Sequence, residues 1–521
     1  MLNFPHQNSC PSTVLHEGHC EKRESEDFLM NKKMMSAALA AAMAMGCLPG
    51  TAVNVLAEEE PVVVTWYMPK QNDKMAQEEE VEAAINEVLR ERVGAEVDFK
   101  FIDGGSYNEK MNTIISAGEE FDICFSCSWT NKFITNAQKG AYVDLSELLQ
   151  EYGQDILAKQ EDYVWQTVTV DGGIYGIPGQ GNYAQSSSFV FKKDLVEKYG
   201  FDYKNATTMR DLEPYFETIK ENEPGVTPVL RRKLRTPADH RYSDDSVTGL
   251  QFDEEQQKFV RVDQEILTAE DSTSRISAEW YQAGYTAKDE AAMSDVTSET
   301  KTGKYAVVGD PGSYDETGEK SSNSYGYECV ETYIGTGWIT NGTVTGAANA
   351  ISITSKHPDK AVQVLNAIWA DPELSNTIAY GIEGINYTVD EERSAEIGSK
   401  SVIPQAGDDQ TWCMWHNFVG PLWDQWDSSW NRVEALEAMQ ADLENAQVGS
   451  TLGFYFDSTE FTTEIATISS IVTEASVIFT TGSMPDYDEY LAEYSQRLTD
   501  AGLDKICEEA NRQFEEWKAG K

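Results

Sequence analysis

The chain has 521 residues, enough for two domains rather than one core. Its 40% hydrophobic content, with 12 Trp, 24 Tyr and 19 Phe, excludes a disordered chain. A net charge of −47 argues against nucleic acid or anionic lipid as a partner, since binding phosphate needs a basic surface.

Lys32 and Lys33 precede an uncharged apolar run, Met34 to Leu48, which Pro49-Gly50 break. Val55-Leu56-Ala57 then places small residues where a signal peptidase reads. The run is shorter than the roughly 20 residues a membrane span needs. Residues 1–57 are therefore expected to be a non-native N-terminal extension, polar over 1–29, followed by a secretory signal peptide. Ala44-Met45-Gly46-Cys47 fits a permissive lipobox, so Cys47 is a candidate lipidation site, with a plain Cys in the apolar run as the alternative. Either way the mature chain is expected outside the cytoplasm. Cys124, Cys127, Cys329, Cys413 and Cys507 remain, odd in number and sparse, which is no disulfide scaffold. Cys124-Phe125-Ser126-Cys127 has no second pair or His cluster to make it a zinc site, and reads as a buried strand Cys plus a loop Cys.

Val62 to Met68 is an apolar run of strand length, and Val81, Ile85, Val88 and Leu89 follow at helical spacing. Val97 to Asp103 alternates as a second strand, Met111, Ile114 and Ile115 mark a helix, and Phe121 to Phe125 is a third strand. This order predicts βαβ units and a parallel sheet, with ligands beyond the carboxyl ends of its strands. Asp171 to Asp194 reads as turn, strand, glycine-rich crossing and strand, where the chain leaves one lobe for another. Gly179 and Gly181 are expected to supply backbone angles closed to other residues. Arg231 to Gln264 reads as a polar surface insertion with a hairpin over Leu250 to Val262, and Arg231-Arg232-Lys233-Leu234-Arg235 as a solvated basic patch. Lys304 to Gly309 is a strand ending in Asp310-Pro311, Thr345 to Ser355 another, and His357-Pro358 opens a helix. Trp412 and Trp415 lie in a polar, loop-like stretch. Trp423, Trp426 and Trp430 recur at helical spacing and read as core, as do the stripes from Tyr487 to Leu498 and from Leu503 to Trp517.

Several motifs fail on context. Gly179 to Ala184 matches G-x-G-x-x-A but a strand follows where a dinucleotide fingerprint needs a helix. Gly318-Glu319-Lys320-Ser321 is a near miss to a phosphate loop, with a Glu that repels phosphate. There is no H-E-x-x-H or G-x-S-x-G, and His240, His357 and His416 are scattered. No catalytic residue, metal site or cofactor is expected.

Trp66-Tyr67, the passage from Tyr175-Gly176-Ile177-Pro178 to Lys192-Lys193-Asp194-Leu195, Gly303-Lys304-Tyr305-Ala306 and Ser355-Lys356-His357-Pro358-Asp359-Lys360-Ala361 resemble, in this order, extracellular solute-binding protein family 1. Tyr380 to Tyr387 and Ala501 to Trp517 are similar to its large lipoprotein branch, which has its own C-terminal domain. The resemblance implies an α/β, two-lobed periplasmic-binding-protein-like (type II) fold with a hinged cleft. Lobe 1 would hold 58–187 and 344–399, and lobe 2 would hold 188–343 and 400–521 with the C-terminal helices. It implies a monomeric sugar-binding protein that delivers an oligosaccharide to the permease subunits of an ABC importer. The candidate ligand contacts are Trp66, Tyr67 and Trp129 past strands of the first sheet, Tyr183 on the crossing, and Asp310 and Tyr314 past a strand of the other lobe. Glu383, Trp412 and Trp415 complete the set. A secreted glycoside hydrolase is the competing class, since a carboxylate pair in an aromatic cleft would serve it as well.

Overall fold

The computed structural model describes residues 60–70, 75–184, 187–236, 241–243, 247–309, 314–405 and 410–520. The strands of its two main sheets are, in chain order, β1 (Val62–Pro69), β2 (Ala95–Ile102), β3 (Ile123–Phe125), β4 (Ile177–Pro178), β5 (Ser187–Lys192), β6 (Thr227–Val229), β7 (Tyr305–Gly309), β8 (Cys329–Gly335) and β9 (Ala348–Ile351). The first sheet is 5-stranded, ordered β2-β1-β3-β9-β4, and the second 4-stranded, ordered β8-β5-β7-β6.

β1 pairs in parallel with β2 and β3, and helices Glu78–Val93 and Gly104–Ala117 make the crossovers. Val81, Ile85 and Leu89 are buried, as their spacing requires. The Asp103 side chain accepts the backbone N–H of Ser106 and caps the second helix. β9 departs from the expected parallel arrangement: it is antiparallel to both β3 and β4. The reason is topological. β3 runs out toward the other lobe, and β9 is where the chain comes back, so it enters the sheet in the opposite sense.

In the second lobe Phe189 and Phe191 of β5 share a core with Phe216 and Ile219 of helix Glu213–Asn222 and with Ile276 and Trp280 of helix Thr273–Ala283. The polar insertion is less exposed than its composition suggests. Strands Tyr242–Ser243, Leu250–Asp253 and Lys258–Arg261 form a sheet. Phe252 and Phe259 in it join Ile468, Leu498 and Phe514 of helices Thr462–Thr481, Tyr487–Asp500 and Leu503–Gly520 in one apolar cluster. The basic cluster is not a solvated patch either. Arg231 is buried with its Nε donating to Ser277 Oγ (2.7 Å), and Arg232 Nη1 donates to the carbonyls of Glu290 and Met293.

The chain between 400 and 430 stays with the first lobe rather than passing to the second. Trp412, Met414, Phe418 and Val419 belong to the core that holds Trp66, Phe125 and Leu365. Trp423, Trp426 and Trp430 are not on a helix: a 3-10 turn at Leu422–Asp424 and a short strand at Asp427–Ser428 carry that stretch. Trp426 stacks on Tyr380 (6.0 Å between centroids) with Lys400 Nζ 3.6 Å from its ring. Among the described residues no helix is long and apolar enough to cross a membrane.

Candidate functional site

The outgoing ends of β1 and β3, the start of β9 and the end of β4 share one edge of the first sheet. The start of β5 and the ends of β7 and β8 share one edge of the second. Two chain segments, from β4 to β5 and from β8 to β9, join these edges. The space between the lobes therefore lies at strand ends, where ligands of open α/β sheets collect.

On the first lobe this edge carries an aromatic cluster. Phe125, the last residue of β3, stacks on Phe418 at 4.2 Å. Trp415 meets Phe418 edge-on at 5.1 Å, and Trp129 lies 6.5 Å from it. Trp129 is 39% exposed, yet its indole Nε1 donates to the Gly346 carbonyl at 2.8 Å. A ring so anchored offers its apolar face without losing a hydrogen bond. Its loop is fixed from behind. Ser128 Oγ donates to the Gly342 carbonyl, while the Cys127 thiol donates to the Thr130 carbonyl and accepts the Thr130 N–H. Burial pushes the Cys124 and Cys127 thiols up to about 12, so both are unreactive and the C-x-x-C serves to shape the loop.

On the second lobe, Tyr314 follows β7 and packs 5.3 Å from the ring of Tyr333 on β8. Tyr333 is 37% exposed and its hydroxyl donates to Asp442 Oδ1 (3.1 Å) on helix Val433–Asn445. Asp310 and Cys47 lie outside the described residues.

The other candidates are placed differently. Trp66 is fully buried inside β1, which runs on to Pro69, and its Nε1 donates to Asn349 Oδ1 at 3.1 Å. Tyr67 is half-buried and edge-on to Phe121 (5.6 Å). Trp412 is 2% exposed and donates to the Ile378 carbonyl, so it is a core ring. Tyr183 is buried, with its hydroxyl on the Gly179 carbonyl at 2.8 Å, because the crossing folds back on itself. Glu383 is exposed and lies 3.7 Å from Lys400, whose Nζ sits over the Trp426 ring next to a separate small sheet. Of the sequence candidates, the structure thus brings Trp129 and Trp415 together and sets Tyr314 on the facing lobe. Sequence reasoning missed Phe418, Tyr333 and Asp442. Only Phe418, three residues after Trp415, carried a signal of its own.

Gly179 works by close approach rather than by an unusual φ: a Cβ there would stand 1.8 Å from the Asn417 carbonyl oxygen. His416, next to that contact, is buried with Nε2 2.9 Å from Asn376 Oδ1, and burial lowers its imidazole to about 3. Among the described residues no group of His, Cys, Asp and Glu is arranged to hold a metal ion.

The family described as bacterial extracellular solute-binding protein matches residues 75–368, and one described as a domain of unknown function matches residues 450–519. A carbohydrate ABC transporter substrate-binding protein of Streptococcus pneumoniae is 29% identical over 493 residues, 93% of this chain and 97% of that protein. The crystal structure of an N-glycan transport solute-binding protein from Streptococcus pneumoniae aligns at 28% identity with a TM-score of 0.76, covering 88% of this chain and 100% of that one. The same pneumococcal protein in complex with Man5GlcNAc aligns at 27% identity with a TM-score of 0.66, covering 88% and 99%. A solute-binding protein from Bifidobacterium longum subsp. infantis, 15% identical with a TM-score of 0.58 over 87% and 98%, shares the fold.

Proposed function

The chain belongs to the bacterial extracellular solute-binding proteins, and from that premise we propose that it captures an oligosaccharide between its lobes for an ABC importer. The observation that carries this reading is the anchored, exposed indole of Trp129, paired with Trp415 across Phe418 at the strand ends. The flat Trp129 ring, with its indole N–H already satisfied, and the Trp415 ring beside it suit the C–H face of a pyranose. Tyr314, Tyr333 and Asp442 would supply the opposing wall, with the carboxylate bonding sugar hydroxyls. The pneumococcal relatives point to N-glycan fragments such as Man5GlcNAc as the ligand class.

The protein would act as a monomer outside the cytoplasm, handing its glycan to permease subunits, with Cys47 as the residue through which it could be anchored. It binds and does not hydrolyse. Calorimetry with Man5GlcNAc and with plant and mucin oligosaccharides, followed by product analysis, tests this. Saturable binding without products is expected. Products, or no binding across the panel, would overturn it.

A further inference from the structure

We propose that Gln447 to Tyr455, where the C-terminal segment begins, is a strap that sets the angle between the lobes. The C-terminal helices are fixed to the second lobe. Gly482, at φ +68, lies so close to helix Thr273–Ala283 that a Cβ would stand 2.1 Å from the Ser277 carbonyl oxygen. Arg261 of the insertion, buried, is paired with Asp263 (2.7 Å) and Asp504 (2.6 Å).

From that base the strap reaches across. It lies along the second crossing: the Ile339 N–H donates to the Gln447 carbonyl (2.8 Å) and the Gly449 N–H to the Ile339 carbonyl (2.9 Å). Asn341 Nδ2 donates to the Thr451 and Phe454 carbonyls, and the Gly453 N–H to Asn341 Oδ1. Its far end touches the first lobe. The Tyr455 hydroxyl donates to the Thr167 carbonyl, and a Cβ on Gly453 would stand 3.0 Å from the Gln166 carbonyl oxygen. Leu452 packs in one cluster with Val164, Tyr183 and Ile339. Three passes of the chain therefore meet at the hinge, and the third is tied by hydrogen bonds both to the second crossing and to the first lobe.

The same place holds polar atoms without a protein partner. The Tyr163 hydroxyl and both amide atoms of Asn182 are buried and unbonded, with Tyr163 edge-on to Tyr183 at 6.4 Å. Buried polar groups are otherwise almost always paired. The Tyr455 bond to the first lobe favours this arrangement, and three unpaired atoms count against it. Such opposing contributions at one place are what a hinge with a second, competing arrangement needs.

Opposite shifts follow. Removing the strap bond with Tyr455→Phe moves the ligand-free population away from the interlobe distance of this structure. Asn182→Leu, which removes unpaired atoms and keeps bulk, moves it toward that distance. Each change is worth about three- to tenfold in the population ratio. Spin labels at Lys356→Cys and Lys204→Cys, in the full chain with Cys10, Cys20, Cys47 and Cys507 each replaced by Ser, report that distance by electron–electron resonance. Opposite shifts support the strap; shifts of one sign, or none in Asn182→Leu, overturn it. Melting curves establish that each variant folds. No glycan enters the experiment, so its failure leaves the binding reading untouched.

Discussion

Two kinds of tryptophan separate at the scale of single residues. Trp129→Ala and Trp415→Ala should weaken glycan binding by about tenfold or more with little change in melting temperature, because they remove accessible ring faces. Trp66→Ala and Trp412→Ala should instead cost about 3–5 kcal/mol of stability by leaving cavities in the first core, read by urea denaturation. Normal affinity in the first pair would move the ligand elsewhere. His416 gives a pH signature. Its imidazole stays neutral when folded, down to about 3, whereas the unfolded chain takes up the proton below about 6.5. Its contribution is complete above that value and is lost as the pH falls toward 3. Between about pH 6.5 and 4 the melting temperature of the wild type should fall more steeply than that of His416→Gln. Equal slopes would assign acid instability to other groups.

Among the elements, the crossing tests how a glycine is used. Gly179→Ala drives a methyl into the Asn417 carbonyl and should cost about 1–3 kcal/mol. Gly181→Ala, whose Cβ meets only the Tyr183 ring at 3.8 Å, should be near neutral in the same denaturation experiment. The strand and helix order of the first lobe was legible because periodicities of two and 3.6 are local. So was the crossing, since Ile177-Pro178 does end a strand and Ser187 does begin one. What local pattern cannot carry is which strand lies beside which. Trp66 was placed past its strand although the apolar run reached Met68; register with β2 carries the strand to Pro69 and buries the indole inside it. The insertion looked solvated because the helices that cover Phe252 and Phe259 arrive more than 200 residues later. Trp129 was readable as a residue past a strand end; the Tyr333–Asp442 pair was not, since their side chains meet across 109 positions.

For the molecule as a whole, Man5GlcNAc should compact the protein in small-angle scattering, and the same curves give its mass as a monomer. An unchanged profile at saturation would count against a hinged cleft. One feature of the first sheet reaches beyond binding, into how the chain is made. β9 sits between β3 and β4, and it brings Asn349 to Trp66 from 283 positions away. As the polypeptide is made amino end first, the sheet of the first lobe cannot be finished until the part of the second lobe that runs from β5 to β8 has followed it. In the interval β3 presents an unpaired edge to every neighbouring copy. Such long-range closure makes maturation slow and vulnerable to self-association at high synthesis rates. A nascent chain halted before Ala348 should therefore pellet even though it contains every residue of β1, β2 and β3, and supplying the missing segment late should not rescue it.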